Sequence, residues 1–164
     1  MTAKRPRLVI GNWQGPRELI IFLQGRLFPT VEEGHACYEA CQQLARRANG
    51  QFDRVGCLVF NDGGGPTARQ REGIRAFLDG RLMRTAVVSP SRLTHGIMAA
   101  IALFNPEMRS FAPRDVERAF RYLDVPPDGA ASLWAEINRL DAVIGGLDVF
   151  EDLRREGLLK SGAP

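Results

Sequence analysis

The chain has 164 residues, 45% of them hydrophobic and 25% charged, with a net charge of +3. That is enough chain for one domain with a core of its own. The basic excess is too small and too scattered for a nucleic-acid track, and no apolar run of about 18 residues suggests a membrane span.

Lysine occurs only at Lys4 and Lys160. A phosphate-loop lysine, a Schiff-base lysine and a receiver-domain lysine are therefore excluded from positions 5 to 159. The cationic side chains are almost all arginine, in keeping with a GC-rich, bacterial coding bias. Three cysteines, Cys37, Cys41 and Cys57, with no apolar signal core after the basic start, predict reduced thiols in the cytoplasm.

Residues 1–6 read as a loose basic lead. Residues 7–13 and 18–24 read as strands joined by the turn cluster Gln14-Gly15-Pro16-Arg17, hence an antiparallel hairpin. Both faces of the second strand are apolar, which predicts cover on both sides. Thr30 and Glu33 form a capping-box pattern for a helix running to about Ala48. Its apolar positions Ala36, Cys37, Ala40, Cys41, Leu44 and Ala45 recur at helical spacing. A third strand is expected at about 54–60, then a helix from about Thr67 to Leu82 with Ile74, Phe77, Leu78 and Leu82 on one side. Residues 84–89 predict a fourth strand, 92–104 a helix ended by Asn105-Pro106, 108–111 a short strand, and Pro113 the start of another helix. After Pro126-Pro127-Asp128-Gly129, Leu133, Ile137, Leu140 and Ile144 predict a further helix. Gly145-Gly146 breaks it before a last short helix, and residues 161–164 are expected to fray. Strands alternating with helices after a hairpin imply an α/β fold with a mostly parallel sheet.

Two stretches stand out as sites. The first is Asn61, Asp62, Gly63, Gly64, Gly65 and, after Pro66, Thr67, where a buried strand runs into a Gly-rich loop and a helix. Ligands of open α/β sheets bind beyond such strand ends, and free amides at a helix start favour an anion. A plain turn with Thr67 as helix cap explains the same residues. The second is the helix through Ile97, Met98, Ile101 and Phe104, which has no polar residue from Gly96 to Phe104. It is expected to pack under the C-terminal extension, to meet a protein partner or second copy, or to border a pocket for an apolar ligand.

No metal site is expected: His35 and Cys37, two apart, do not share a helix face. His95 with Ser89 or Ser91 lacks a nucleophile motif. Trp13 and Trp134 suit core or edge packing.

The element order over residues 7–124 resembles the STAS domain, shared by anti-sigma-factor antagonists and the cytoplasmic ends of sulfate transporters. Its local carriers are Arg84-Thr-Ala-Val-Val-Ser89, Phe104-Asn-Pro-Glu-Met-Arg-Ser-Phe111 and Asp115-Val-Glu-Arg-Ala-Phe-Arg-Tyr-Leu123, which also resemble the divergent STAS-like proteins described beside the CRAL-TRIO lipid-binding fold. The resemblance implies a STAS-like domain at 7–124 with a helical C-terminal extension at 125–164. It also implies a non-enzymatic regulatory or protein-interaction role, modulated at 61–67 and needing no cofactor. The Asp-Ser pair of phosphorylated STAS domains is absent: Gly63 follows Asp62, and Thr67 is the nearest hydroxyl residue. Binding a small hydrophobic or anionic ligand is the alternative.

Overall fold

The structure is a computed structural model that describes residues 5–159. The basic lead and the tail expected to fray fall mostly outside that range. Five strands, β1 (Leu8–Trp13), β2 (Glu18–Gln24), β3 (Val55–Asn61), β4 (Arg84–Val88) and β5 (Met108–Phe111), form one sheet in the order β1-β2-β3-β4-β5. The β1–β2 pair is antiparallel and every other pair is parallel. The crossovers carry helices α1 (Val31–Arg47), α2 (Ala68–Leu78) and α3 (Arg92–Ala102). Helices α4 (Val116–Tyr122), α5 (Ala130–Ile144) and α6 (Asp148–Arg155) follow the last strand.

The local signals act where the sequence puts them. Thr30 caps α1: its hydroxyl accepts from the Glu33 amide, and the Glu33 carboxylate accepts from the Thr30 amide. Thr67 and Gln70 build the same reciprocal pair at the start of α2. Here the expected helix is four residues too long. Asp79 and Gly80 take left-handed backbone angles (φ 47° and 76°), and Arg81 donates to the carbonyls of Leu78 and Phe77. Together these end α2 at Leu78, and Leu82 is left exposed.

The register sorts the sheet's side chains by face. On one face lie Leu19, Ile21 and Leu23 of β2, Leu58 and Phe60 of β3, and Ala86 and Val88 of β4. All are fully buried beneath α4, α5 and α6. Trp13 joins this core, its indole N–H donating to Ser132 Oγ at 2.9 Å. Trp134 packs against Phe60 and Phe120. The C-terminal extension therefore backs this face of the sheet. Among the described residues it does not cover α3, the first of the three arrangements expected for the all-apolar stretch 96–104. The other face carries Ile20 and Phe22, Cys57 and Val59, Thr85 and Val87, and it lies beneath α1, α2 and α3.

Candidate functional site

The two faces are packed differently. Val59 sits on the middle strand of five, yet it is only half-buried, the single residue of β3 not fully covered. Along the helices above it, Leu44 is the one fully covered residue of α1 and Leu78 that of α2. Between helices and sheet lies an apolar cavity of about 430 Å³. Its floor is the cross-strand row Phe22–Val59–Val87, aligned by the parallel register. Cys37, Tyr38 and Cys41 of α1, Ile74 and Phe77 of α2, and Met98 and Ile101 of α3 form the walls. The reason is visible in the side chains. The inward faces of α1 and α2 carry Gly34, Cys37, Cys41 and Gly73, short residues that leave space above the sheet.

Two contacts bridge the seam between α1 and α2. Tyr38 meets Phe77 edge-on, with ring centroids 6.3 Å apart. Gly34 lies under Gln70 so closely that a Cβ there would sit 2.5 Å from the amide nitrogen Nε2. The lining residues that also reach solvent are Val31, His35 and Tyr38 of α1 and Arg69 of α2. They mark the mouth.

The polar groups at the inner end are already partnered. Asn105 donates to the Met83 carbonyl at 2.9 Å and accepts from the Met83 amide. Thr85 donates to the same carbonyl. Gln24 and Asn61 bond each other and the loop carbonyls of Gly65 and Gly64. The interior therefore offers dispersion contacts and few open hydrogen-bonding groups. Burial pushes the thiols of Cys37 and Cys57 well up and that of Cys41 up to about 12, so all three are neutral thiols in an apolar wall.

The Gly-rich loop 61–67 is tied to neighbouring segments by the side chains of Asn61 and Asp62 and the backbone of Gly64. Asn61 Oδ1 accepts from the Gly63 amide at 2.6 Å and from the Thr94 hydroxyl at 3.1 Å. The Asp62 carboxylate accepts from the amides of Asp148 and Val149, at 2.8 and 2.9 Å, and so caps α6 from the other end of the chain. Gly64 donates to the Gly25 carbonyl, and a Cβ at Gly64 would lie 2.5 Å from that oxygen, so only glycine fits this approach. Gly65 lies against Ile97. Thr67 is the α2 cap, and with Pro66 it borders the cavity mouth.

Of the apolar set on α3, Met98 and Ile101 face the cavity, and Ile97 lies toward the loop. Phe104 packs between α3 and the cavity-side core and also borders an open groove with α2. The outer side of α3 leaves Leu93 and Leu103 exposed beside Gly96, Ala99 and Ala100. His95 bonds the Ser89 carbonyl at 3.0 Å, not a hydroxyl, and His35 pairs with Glu39. Among the described residues no three His, Cys, Asp or Glu side chains are placed to hold a metal ion, and the three cysteines are free thiols. No described helix is long and apolar enough to cross a membrane.

Phe22, Val59, Val87, Cys41, Ile74 and Phe77 line the cavity without having been singled out in the sequence as site residues. The run of glycine and cysteine along the inward faces of α1 and α2 is the signal that points to them. Compared with protein-family models, with curated proteins and with solved structures, the chain gives no match.

Proposed function

We propose that the chain is a non-catalytic binding domain of STAS-like architecture that holds an apolar small molecule between its sheet and the α1–α2 layer. One observation carries this reading: the 430 Å³ apolar cavity over the middle of the sheet. Pockets for small molecules commonly occupy about 300–1,000 Å³ and are lined mainly by apolar side chains. An apolar occupant would supply dispersion contacts to the lining side chains and remove their apolar surface from water. Residues 7–124 would then carry the pocket, and the described part of the C-terminal extension, residues 125–159, would stiffen the sheet from behind.

Native mass spectrometry of gently purified protein is the direct test. A bound mass that is lost on denaturation is expected. An empty mass, together with no thermal shift across fatty acids, isoprenoids and aromatic compounds, would overturn the reading.

A second reading is supported by the outer side of α3, where Leu93 and Leu103 stand in water on either side of Gly96, Ala99 and Ala100. Such a stripe suits a helix of a protein partner or of a second copy. Sedimentation velocity of the chain and of Leu103→Glu separates the two. A single monomeric species for both leaves self-association without support.

A further inference from the structure

The register that lays Phe22, Val59 and Val87 across the cavity floor puts a polar pair beside them. Gln24 of β2 stands opposite Asn61 of β3, each two residues beyond Phe22 or Val59 and so on the same face. Both line the hollow. Gln24 is only 6% exposed and Asn61 1%.

A carboxamide has two N–H donors and an oxygen that accepts twice. Asn61 uses all four places: it donates to the Gly64 carbonyl and to Gln24 Oε1, and accepts from the Gly63 amide and the Thr94 hydroxyl. Gln24 uses two, donating to the Gly65 carbonyl at 3.3 Å and accepting from Asn61 at 3.4 Å. Both bonds are long beside the usual value of about 2.9–3.0 Å. One donor place and one acceptor place therefore stay open on a buried group in the wall of an apolar hollow. Such groups are normally satisfied, because a bond left unmade away from water is costly.

The polar groups at the start of β4 are held differently. Thr85 donates to the Met83 carbonyl, and Asn105 clamps both the amide and the carbonyl of Met83. Those bonds fix the plane of the Asn105 amide. Gln24 has one more methylene and no such clamp, so its amide can turn toward a partner in the hollow. Charge is confined to the entrance. No Asp or Glu side chain lines the cavity, and His35 and Arg69 stand at its mouth. An ionised group beside Gln24 would be buried without a counter-charge.

We propose that the occupant is an uncharged apolar molecule with one oxygen function, a ketone, an alcohol or a carboxamide, and that Gln24 is the residue that recognises it. This rests on the apolar-ligand reading and deepens it. The walls set size and shape, and Gln24 sets chemical class and orientation. A ligand carbonyl takes the open N–H, and a ligand hydroxyl can also donate to Oε1.

The test compares two probes of nearly the same shape, 2-acetylnaphthalene and 2-ethylnaphthalene, by equilibrium dialysis against the full chain. In Gln24→Leu the affinity for the ketone should fall about fivefold relative to the hydrocarbon, the worth of one neutral hydrogen bond. The hydrocarbon is the internal check, because a general loosening of the site weakens both probes alike and leaves their ratio unchanged. Gln24→Met, unbranched like glutamine, takes the place of Gln24→Leu if that variant does not fold. The infrared carbonyl stretch of the bound ketone should lie at lower frequency in the parent than in the variant. Thr85→Val should leave the ratio as it is in the parent. Ionised 2-naphthoate should bind the parent at least about tenfold more weakly than the ketone does. A ratio and a carbonyl frequency that the Gln24 variant leaves unchanged would overturn the assignment and give the open places on Gln24 to water. So would a ratio moved as far by Thr85→Val, or naphthoate held as tightly as the ketone through Arg69 and His35. Each of those results leaves the apolar cavity standing. If neither neutral probe binds the parent, the cavity reading itself falls, and the role of Gln24 with it.

Discussion

Replacing Val59 with phenylalanine puts four more carbons into the space above the middle strand. Val59 is half-buried on β3, with Phe22 and Val87 beside it in register, and its side chain points into the 430 Å³ cavity. At roughly 0.8 kcal/mol per buried methylene the added carbons are worth at most about 3 kcal/mol. Fixing the ring and adjusting its neighbours takes part of that back, which leaves a net stabilisation of about 0.5–2 kcal/mol. Ala86→Leu is the control. It adds three carbons on the opposite face of β4, where Ala86 is fully buried under the α4–α6 layer, so it should cost about 1–3 kcal/mol through overpacking. Urea denaturation measures both, and displacement of a fluorescent apolar probe should show weaker uptake by Val59→Phe alone. The reasoning fails if Val59→Phe destabilises as much as Ala86→Leu while probe uptake is unchanged. That result would mean that the two faces are equally closed.

Asp62→Ala should cost about 1 kcal/mol by uncapping α6, and amide exchange at Asp148 and Val149 should quicken; unchanged exchange there would remove the cap from the account. Burial, the largest influence on Asp62, pushes its carboxyl up from 3.8 against the two amides that lower it. The folded state therefore holds more protons than the unfolded one just above pH 3.8. The Asp62 contribution to stability falls as pH rises through that window and is flat above it. Asp62→Asn should abolish this slope, and a stability profile identical to the parent's would refute the assignment. Cys41, raised from 9.0 to about 12, should have about 10³-fold less thiolate at pH 8 than an ordinary thiol. Its labelling by a charged disulfide reagent should be slower in the folded chain by a similar factor, and equal rates folded and unfolded would place the thiol in water. Thr67→Ala should cost about 1 kcal/mol as a lost α2 cap; if Thr67→Glu and Thr67→Ala both leave oligomeric state and partner capture unchanged, a switch at this residue is ruled out.

The strands and helices were legible because each is punctuated by residues with one conformational use. Gly15-Pro16 turns the hairpin, Thr30/Glu33 opens α1, and Gly145-Gly146, both left-handed at φ 92° and 89°, separates α5 from α6. The end of α2 differs from the sequence expectation because Leu82 keeps the apolar spacing, whereas the backbone turns at Asp79. Which of the three covers expected for the apolar α3 is present is not legible in the sequence for another reason. Apolar residues on α5 and on α3 predict that each is buried, but which faces meet is fixed by crossover handedness and register. The cavity was harder still. Periodicity reports which residues turn inward, and Ala36, Cys37, Ala40 and Cys41 do recur as a core stripe would. It does not report whether side chains that short reach what they face. The Asn61–Thr67 loop drew attention for its composition, yet its bonds to Thr94, to Gly25 and to α6 join distant segments, and no local window contains them.

The unequal packing of the two sheet faces has a consequence for how this fold can change. The layer of α4, α5 and α6 shares a fully closed core with the sheet, so a substitution there is felt by the whole molecule. The α1–α2 layer touches the sheet through a few large side chains around a hollow. The residues that line the hollow, such as Val59, Ile74 and Phe77, can be exchanged at smaller cost to folding than the fully buried Leu44 and Leu78 of that layer. On the apolar-ligand reading proposed above, selectivity can then drift, or be redesigned, independently of the ability to fold, with one half of the molecule serving as chassis and the other as an adjustable mould.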